Sequence, residues 1–456
     1  MRSRFNIVIP LVLTAILGCT PRAARLTLPL DTPQTFTEPG GTYPLQDRWW
    51  TAFSDSAVDT LVDAALQSNF SLESTWYRLQ AAQAVVDRES SAWFPEITGL
   101  FEADADRGDG GDDETLTLRF SADYEIDLWG KIRSGIDAER YRARASAADY
   151  RAAALSLSAE VVLTWYELME ARSRLDLFDS QIETNEKALS LIRARFGSGQ
   201  VRSVDILRQK QLIESTREQR LAAASRARVL EHQLSVLLGR PPESDVTDIH
   251  TPLPELPPLP ETGLPASLIQ RRPDIQRAHH LLRAADRDVA AAVSARYPRI
   301  TLSASSTSTD NSGDGLFGGW AHNFAAGLLG PLFDGGRLGA EVDRNLAGRN
   351  QRLYDYGQTV LTALQEVENA LVREKAQMAR IESLESQLAL TIQAYEQLRL
   401  EYLNGISDYL DVLTALTSEQ RLRRDVISAR TLLLEYRVSL YRALGGGFET
   451  PRTEDG

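Results

Sequence analysis

Six acidic residues, Asp104, Asp106, Asp109, Asp112, Asp113 and Glu114, crowd one short stretch of the sequence. They have the density of a calcium loop, but no EF-hand spacing with a closing glutamate fits them. A solvated hairpin tip accounts for them better. Asp123, Glu125 and Asp127 alternate, as paired carboxylates for acid–base work could. A strand facing a water-filled lumen explains the same pattern without catalysis. His279 and His280 are adjacent, so on a helix their side chains diverge by about 100° and make a poor metal pair. No Ser/His/Asp grouping, phosphate-binding glycine loop or zinc spacing is present. The sequence predicts no catalytic residue, no metal site and no cofactor; it does not read as an enzyme.

One further reactive side chain stands apart. Cys19 is the only cysteine among 456 residues, which excludes a disulfide scaffold. Arg2 and Arg4 precede an apolar run from Ile7 to Leu17, and Gly18 sits just before Cys19. A basic start, a short apolar run and a small residue before the cut mark residues 1–18 as an export signal, too short to span a bilayer. The ending resembles a bacterial lipobox, which makes Cys19 the expected lipidated first residue. Thr20 is not the aspartate that retains lipoproteins at the inner membrane, so outer-membrane sorting is open. Loss of Arg2 and Arg4 takes the net charge from −13 to −15. That balance argues against a nucleic-acid partner. The arginine-over-lysine bias, 46 to 4, carries no functional signal.

No internal stretch approaches about 20 apolar residues, so a bundle of membrane helices is excluded. A membrane β-barrel is not, because its alternating strands hide from hydropathy. The chain is also written twice. Eight of its 19 prolines fall between Pro241 and Pro265, which marks residues 241–263 as a linker between two bodies. Landmarks recur across it: Leu61, Leu72 and Ala81 as Leu264, Ile275 and Ala284, and Trp93-Phe94-Pro95 as Arg296-Tyr297-Pro298. Gly199, Asp205 and Leu207 recur 206 positions later as Gly405, Asp411 and Leu413. After the signal and an extended segment, 19–54, the expected layout is a first repeat, 55–240, the linker, a second repeat, 264–444, and a tail, 445–456.

Each repeat changes period in the same order. Leu116, Leu118, Phe120, Ala122, Tyr124 and Ile126 alternate with polar residues, and the segment after Ile97 does likewise. A polar turn at Arg107–Glu114 joins them into a hairpin over about 96–127. The second hairpin, about 299–332, carries Ile300, Leu302, Ala304, Phe324, Ala326 and Leu328 around a turn at Asp310–Gly319. Strands of about ten residues suit a tilted crossing of a bilayer. Gly130, Gly335 and Gly336 mark the strand-to-helix junctions. Helices are expected over about 131–196 and 202–238, and over 337–402 and 408–444. Val161, Leu168, Leu175, Ile182, Leu189 and Phe196 repeat every seven residues, the mark of supercoiled packing. Val367, Ile381, Leu388, Tyr395 and Tyr402 repeat it, with Glu374 breaking the seam. Gly197 and Gly199, then Asn404 and Gly405, turn each long helix back. Four strands cannot close a barrel, for the smallest have about eight, and an open edge cannot sit in lipid. The chain must assemble in a ring; strand arithmetic alone leaves two copies or three.

With its Trp49-Trp50, Tyr124-Glu125-Ile126-Asp127-Leu128-Trp129-Gly130-Lys131, Pro331-Leu332-Phe333-Asp334-Gly335-Gly336-Arg337 and Asn404-Gly405-Ile406-Ser407-Asp408-Tyr409-Leu410-Asp411 stretches, the mature chain resembles the lipoprotein branch of the TolC family of outer-membrane efflux proteins. The resemblance implies a mixed α and β membrane protein. It implies a homotrimer forming a twelve-stranded barrel in the outer membrane and a twelve-helix barrel in the periplasm. Its partners would be a periplasmic adaptor, an inner-membrane pump of the resistance–nodulation–division type and outer-membrane lipid. Function would be conduction of drugs and other toxic small molecules to the exterior. Leu410 and Asp411, with Val204 and Asp205, match the periplasmic gate, although Thr414 and Ser407 depart from the pattern of relatives. Asp205 and Asp408 also suit plain helix N-termini. Protein secretion and metal efflux share this exit duct, though only three methionines speak against copper or silver; a non-conducting envelope coiled coil would share the heptads and export signal but would not need two membrane-length hairpins. Radiolabelled palmitate is expected to enter the wild-type protein in a bacterial host and to be absent from Cys19→Ser.

Overall fold

Alternation in the sequence becomes two unlike faces of a single sheet. Strands β1 (Glu96–Gly108), β2 (Gly111–Ile126), β3 (Arg299–Asp310) and β4 (Trp320–Leu329) form an antiparallel meander in that order. The computed structural model describes residues 33–108, 111–242, 253–263, 265–445, 450 and 452, and not the side chains of 106–113. Residues 1–18, Cys19 and Asp109 therefore lie outside the described residues. Across the strands Ile97 pairs with Ala122, Ala122 with Ala304, and Ala304 with Phe324. Paired residues share a face, so Ile97, Phe101, Leu118, Phe120, Leu302 and Phe324 stand on one side. They are uncovered by the chain itself: Phe324 is 82% and Ile97 73% exposed. Polar side chains hold the other face, where Thr98 and Ser121 hydroxyls lie 2.7 Å apart and Arg119 Nε donates to Thr307 Oγ1 at 3.3 Å. The first hairpin turn is tighter than expected at Arg107–Glu114, since pairing continues to Gly108 opposite Gly111. A strand that is polar on both faces can stay in its ladder while standing in water.

Short helices α1 (Ser56–Ser68) and α2 (Phe70–Ser90) precede the first hairpin, and α3 (Lys131–Gly197) and α4 (Ser203–Leu237) follow it. The copy gives α5 (Pro265–Arg271), α6 (Pro273–Ser294), α7 (Arg337–Leu403) and α8 (Tyr409–Leu444). Helices α3 and α7 have 67 residues each. None of the described helices is long and apolar enough to cross a membrane. Asp127 accepts the N–H groups of Ile132 and Arg133 and so caps α3. It thereby leaves the set of strand carboxylates to which alternation assigned it. The seven-residue seam also wanders: Val161, Leu168 and Leu189 are buried, Leu175 and Ile182 half-buried, and Phe196 exposed. Phe178, Asn185 and Ile192 take over as the buried row. An α-helix drifts about 20° per heptad against a strict seven-residue repeat, which carries the stripe around its surface.

The two repeats are not two bodies. One compact unit takes Tyr77–Ala148 with Ile275–Thr359, and the other takes residues 33–76, Asp149–Asp274 and the chain from Val360. Each unit draws on both copies because β2 of the first hairpin pairs with β3 of the second, and helices of the two copies pack together. In the first unit Arg142 of α3 pairs with Asp288 of α6. In the second, the N-terminal segment is not extended to its end, for Trp49–Phe53 coil into a 3-10 turn. Trp49 stacks on Tyr441 at 5.5 Å, and Phe53 meets Tyr166 at 5.5 Å.

The proline-rich linker is likewise no free tether. Gly41 N–H bonds Pro260 O at 2.9 Å, so close that a Cβ on Gly41 would fall 1.7 Å from Leu259 O. Arg437 fixes the strap to the helices. Its guanidinium grips Glu374 with bonds of 2.8 and 2.6 Å and donates to the carbonyls of Pro257 and Pro258. Both charges are 2% exposed. This pair explains Glu374 in an apolar seam. Arg437→Met strands a buried carboxylate and is expected to destabilise by about 3–5 kcal/mol. Thermal denaturation in detergent measures the loss, and adding Glu374→Met should restore part of it.

Candidate functional site

The helix-hairpin turns are built alike in both copies. Gly199 and Gly405 each have φ +76°, a left-handed conformation that glycine adopts without a Cβ clash. Gly199 N–H bonds Phe196 O and Gln200 N–H bonds Arg195 O; in the copy Gly405 N–H bonds Tyr402 O and Ile406 N–H bonds Glu401 O. Gly197 ends α3, and the side chain of Asn404 donates to Leu400 O at 3.0 Å. The tips touch through Arg195, whose guanidinium reaches the carbonyls of Tyr402 and Leu403 at 3.0 and 2.8 Å and lies 4.9 Å from the Tyr402 ring. It thus satisfies carbonyls at the end of α7 that have no partner inside the helix.

The two aspartates matched by the duplication have diverged. Asp205 is buried, accepts the N–H of Arg202 and lies 3.8 and 3.4 Å from the guanidinium groups of Arg202 and Arg208. Helix capping and two arginines engage this carboxylate, in keeping with its reading as a helix N-terminal residue. Asp411 is exposed, and its carboxylate accepts the Ser407 hydroxyl at 3.2 Å. Where the first tip has Arg202 and Arg208, the second has Asp408 and Thr414. The second tip therefore carries the uncompensated negative charge. Leu410 is 44% and Val204 36% exposed, so these two also remain free to face a partner or a lumen.

Behind the tips runs a buried polar ladder that heptad reasoning missed. The Tyr409 hydroxyl donates to Gln209 Oε1, and Gln209 Nε2 donates to Asn185 O at 2.8 Å. Gln420 Nε2 donates to Asn185 Oδ1 at 3.0 Å, and Gln181 Nε2 donates to Gln420 O at 3.2 Å. Arg424 Nη1 completes it on Gln181 Oε1 at 2.9 Å. Burial pushes the Tyr409 phenol up from its ordinary value. The ladder joins α3 and α4 of one copy to α8 of the other, and buried amides fix helix register because a shifted helix would leave them unpaired. A polar residue at Asn185, seven residues from Phe178 and Ile192, was the available signal.

At the strand-to-helix junctions Gly130, Gly335 and Gly336 have φ +78°, +62° and +87°. Trp129 locks the first junction: Nε1 donates to Pro298 O at 2.6 Å and the ring stacks on Tyr297 at 4.8 Å. Rings of this kind belong at a membrane–water boundary. The His279 and His280 rings lie 5.7 Å apart and tilted, and among the described residues no cluster of three His, Cys, Asp or Glu could hold a metal ion. Burial, and then Arg283, hold His279 below its ordinary value.

The family profile described as "Outer membrane efflux protein" matches residues 61–240 and 264–446. The chain is similar to the pyoverdine export outer membrane protein OpmQ of Pseudomonas aeruginosa, with 29% identity over 89% of this chain and 88% of the relative. It is similar to the toluene efflux pump outer membrane protein TtgF of Pseudomonas putida, with 30% identity over 90% and 88%. Among solved structures the outer-membrane channel OprN superposes with a TM-score of 0.87 at 27% identity, covering 94% of this chain and 99% of that one. The turn geometry yields a test. Gly405→Ala should cost about 1–2 kcal/mol through its left-handed backbone, whereas Gly348→Ala, in the run of α7 with open space at its Cβ, should gain up to about 1 kcal/mol. Melting temperatures in detergent are expected to move in opposite directions.

Proposed function

The chain belongs to the outer membrane efflux protein family, matched over both repeats, and from that membership we infer that it serves as the outer-membrane exit duct of a tripartite efflux system. The observation that carries this reading is the sheet: four strands, one face apolar and uncovered, the other polar, with β1 and β4 open at its edges. Lipid against the first face and water against the second satisfy both. Edge pairing with further copies removes the unpaired backbone. Three copies give twelve strands and, from α3, α4, α7 and α8, twelve long helices, which is the trimer we propose. The relatives named for pyoverdine export and toluene efflux support small molecules as the cargo. Partners follow from the same reading: a periplasmic adaptor, an inner-membrane pump of the resistance–nodulation–division type, and an outer-membrane lipid anchor at Cys19.

Transport here needs no bond making. Selectivity comes from width, lining charge and a gate. We place the gate at the helix tips, with Leu410 and Asp411 narrowing the opening and Val204 beside them. Asp205 holds the first turn of α4 so that the tip keeps its shape. Three copies of Asp411, which forms no ion pair among the described residues, would draw cations and repel anions. In planar bilayers the purified protein should form channels that prefer potassium over chloride, and Asp411→Asn should weaken that preference by several-fold. Native mass spectrometry should show three chains. A protein that never opens a channel would overturn the duct.

A further inference from the structure

A second charged feature lies in the unit that contains the sheet, and it has the opposite sign. A cavity of about 390 Å³ opens where β3 begins, β4 ends and helices α3, α6 and α7 meet the sheet. Lys131, Arg299 and Arg337 line it together with Tyr297 and Leu329, and no carboxylate does. Lys131 Nζ lies 3.2 Å from Glu125. Arg299 and Arg337 have no ion-pair partner within 4.0 Å among the described residues. Asp334 and Glu341 both feel the Arg337 charge, but the Asp334 oxygens accept the N–H groups of Gly336 and Leu338, and the Glu341 oxygens accept from Arg344 and Asn345. The backbone bonds, and then the Arg337 charge, hold the Asp334 carboxyl below the usual carboxylate range. Lys131 and Arg337 are also the first residues of α3 and α7, the helix end where the dipole favours an anion and disfavours a cation. They occupy equivalent places in the two repeats and meet at this one cavity, whereas the counterpart of Arg299 in the first repeat is Glu96.

We propose that this notch is an oxyanion-binding pocket on the wall of the duct, in which Arg299 and Arg337 grip a phosphate or carboxylate group of a passing solute and Lys131 supplements the charge. Guanidinium forks suit such groups because two N–H bonds can meet two oxygens. The pocket opens on the polar side of the sheet: Arg299 is in register with Leu329 and two residues from Thr301, and Lys131 meets Glu125 of that same face. The ligand therefore arrives from water and not from the bilayer. The proposal rests on the duct reading and gives that duct a basic station beyond the acidic helix tips, suited to cargo that carries an acidic group.

Inorganic phosphate, titrated at low ionic strength into the full-length protein in detergent and followed by ³¹P line broadening, tests it. Saturable binding is expected. Arg299→Gln/Arg337→Gln should weaken it at least ten-fold with an unchanged melting temperature, Arg337→Lys should fall between, and Arg352→Gln on α7 should bind as wild type. Absent phosphate binding overturns the pocket, and so does binding that survives the double variant. Binding only to vesicles of phosphatidylglycerol and phosphatidylcholine, and not to phosphate, would assign the cations to a lipid surface and overturn the duct-side site. Channel opening by the wild type is read separately. A conducting protein that ignores phosphate loses the pocket alone, while one that binds phosphate and never conducts loses the duct and the station within it.

Discussion

An uncovered apolar face between two unpaired strand edges is the constraint that organises this protein. Within one chain, Phe101, Phe120, Phe324 and Leu328 stand exposed on the sheet, at a cost of about 25 cal/mol for each Å² of apolar surface left in water. The backbone at the outer rims of β1 and β4 lacks ladder partners. No single chain can relieve both conditions. Lipid relieves the first and further copies the second, so membrane insertion and assembly are two aspects of one requirement. The tryptophan and tyrosine at the first junction, locked by the Trp129–Pro298 bond, suit the level at which such a sheet meets water.

The helices must meet a different demand, because they carry no comparable apolar face to lipid. Their order comes from a few polar fastenings set into alanine- and leucine-rich packing. The Arg437–Glu374 pair ties the proline strap to α7 and α8, and the amide ladder from Gln181 to Tyr409 joins the first copy to the second. Such groups are costly when unmatched and specific when matched. Duplication supplied two helix hairpins with the same turn, and divergence then gave them different charge. Asp205 became enclosed by arginines while Asp411 stayed bare. A duct built from both can keep one tip as scaffold and leave the other free to act at the opening.

Much of this was legible in residues. Period-two alternation through Leu116–Ile126 identified the faces of β2, and Gly199 and Gly405 identified the turns, because both signals arise from local sterics. Glu374 was visible as a defect in a seam, but its partner was not, since Arg437 lies far along the chain and only folding brings them together. The same holds for Asn185 with Gln420. Residues 241–263 do lie between the two family matches, but the docking of residues 253–263 was not legible there for a related reason. Proline excludes helix, but it does not prevent an extended strand from docking through its carbonyls. Asp127 shows the limit of pattern: alternation put it on the strand, while helix capping claimed it.

The central claim is that one face of the sheet meets lipid and the other meets water. Spin labels placed at residue 324 and at residue 323, on a Cys19→Ser background in proteoliposomes, test it through their relative accessibility to oxygen and to a water-soluble nickel chelate. The account predicts a label at Phe324 relaxed by oxygen and shielded from nickel, and one at Asn323 with the reverse behaviour. Equal nickel accessibility at both positions would contradict it.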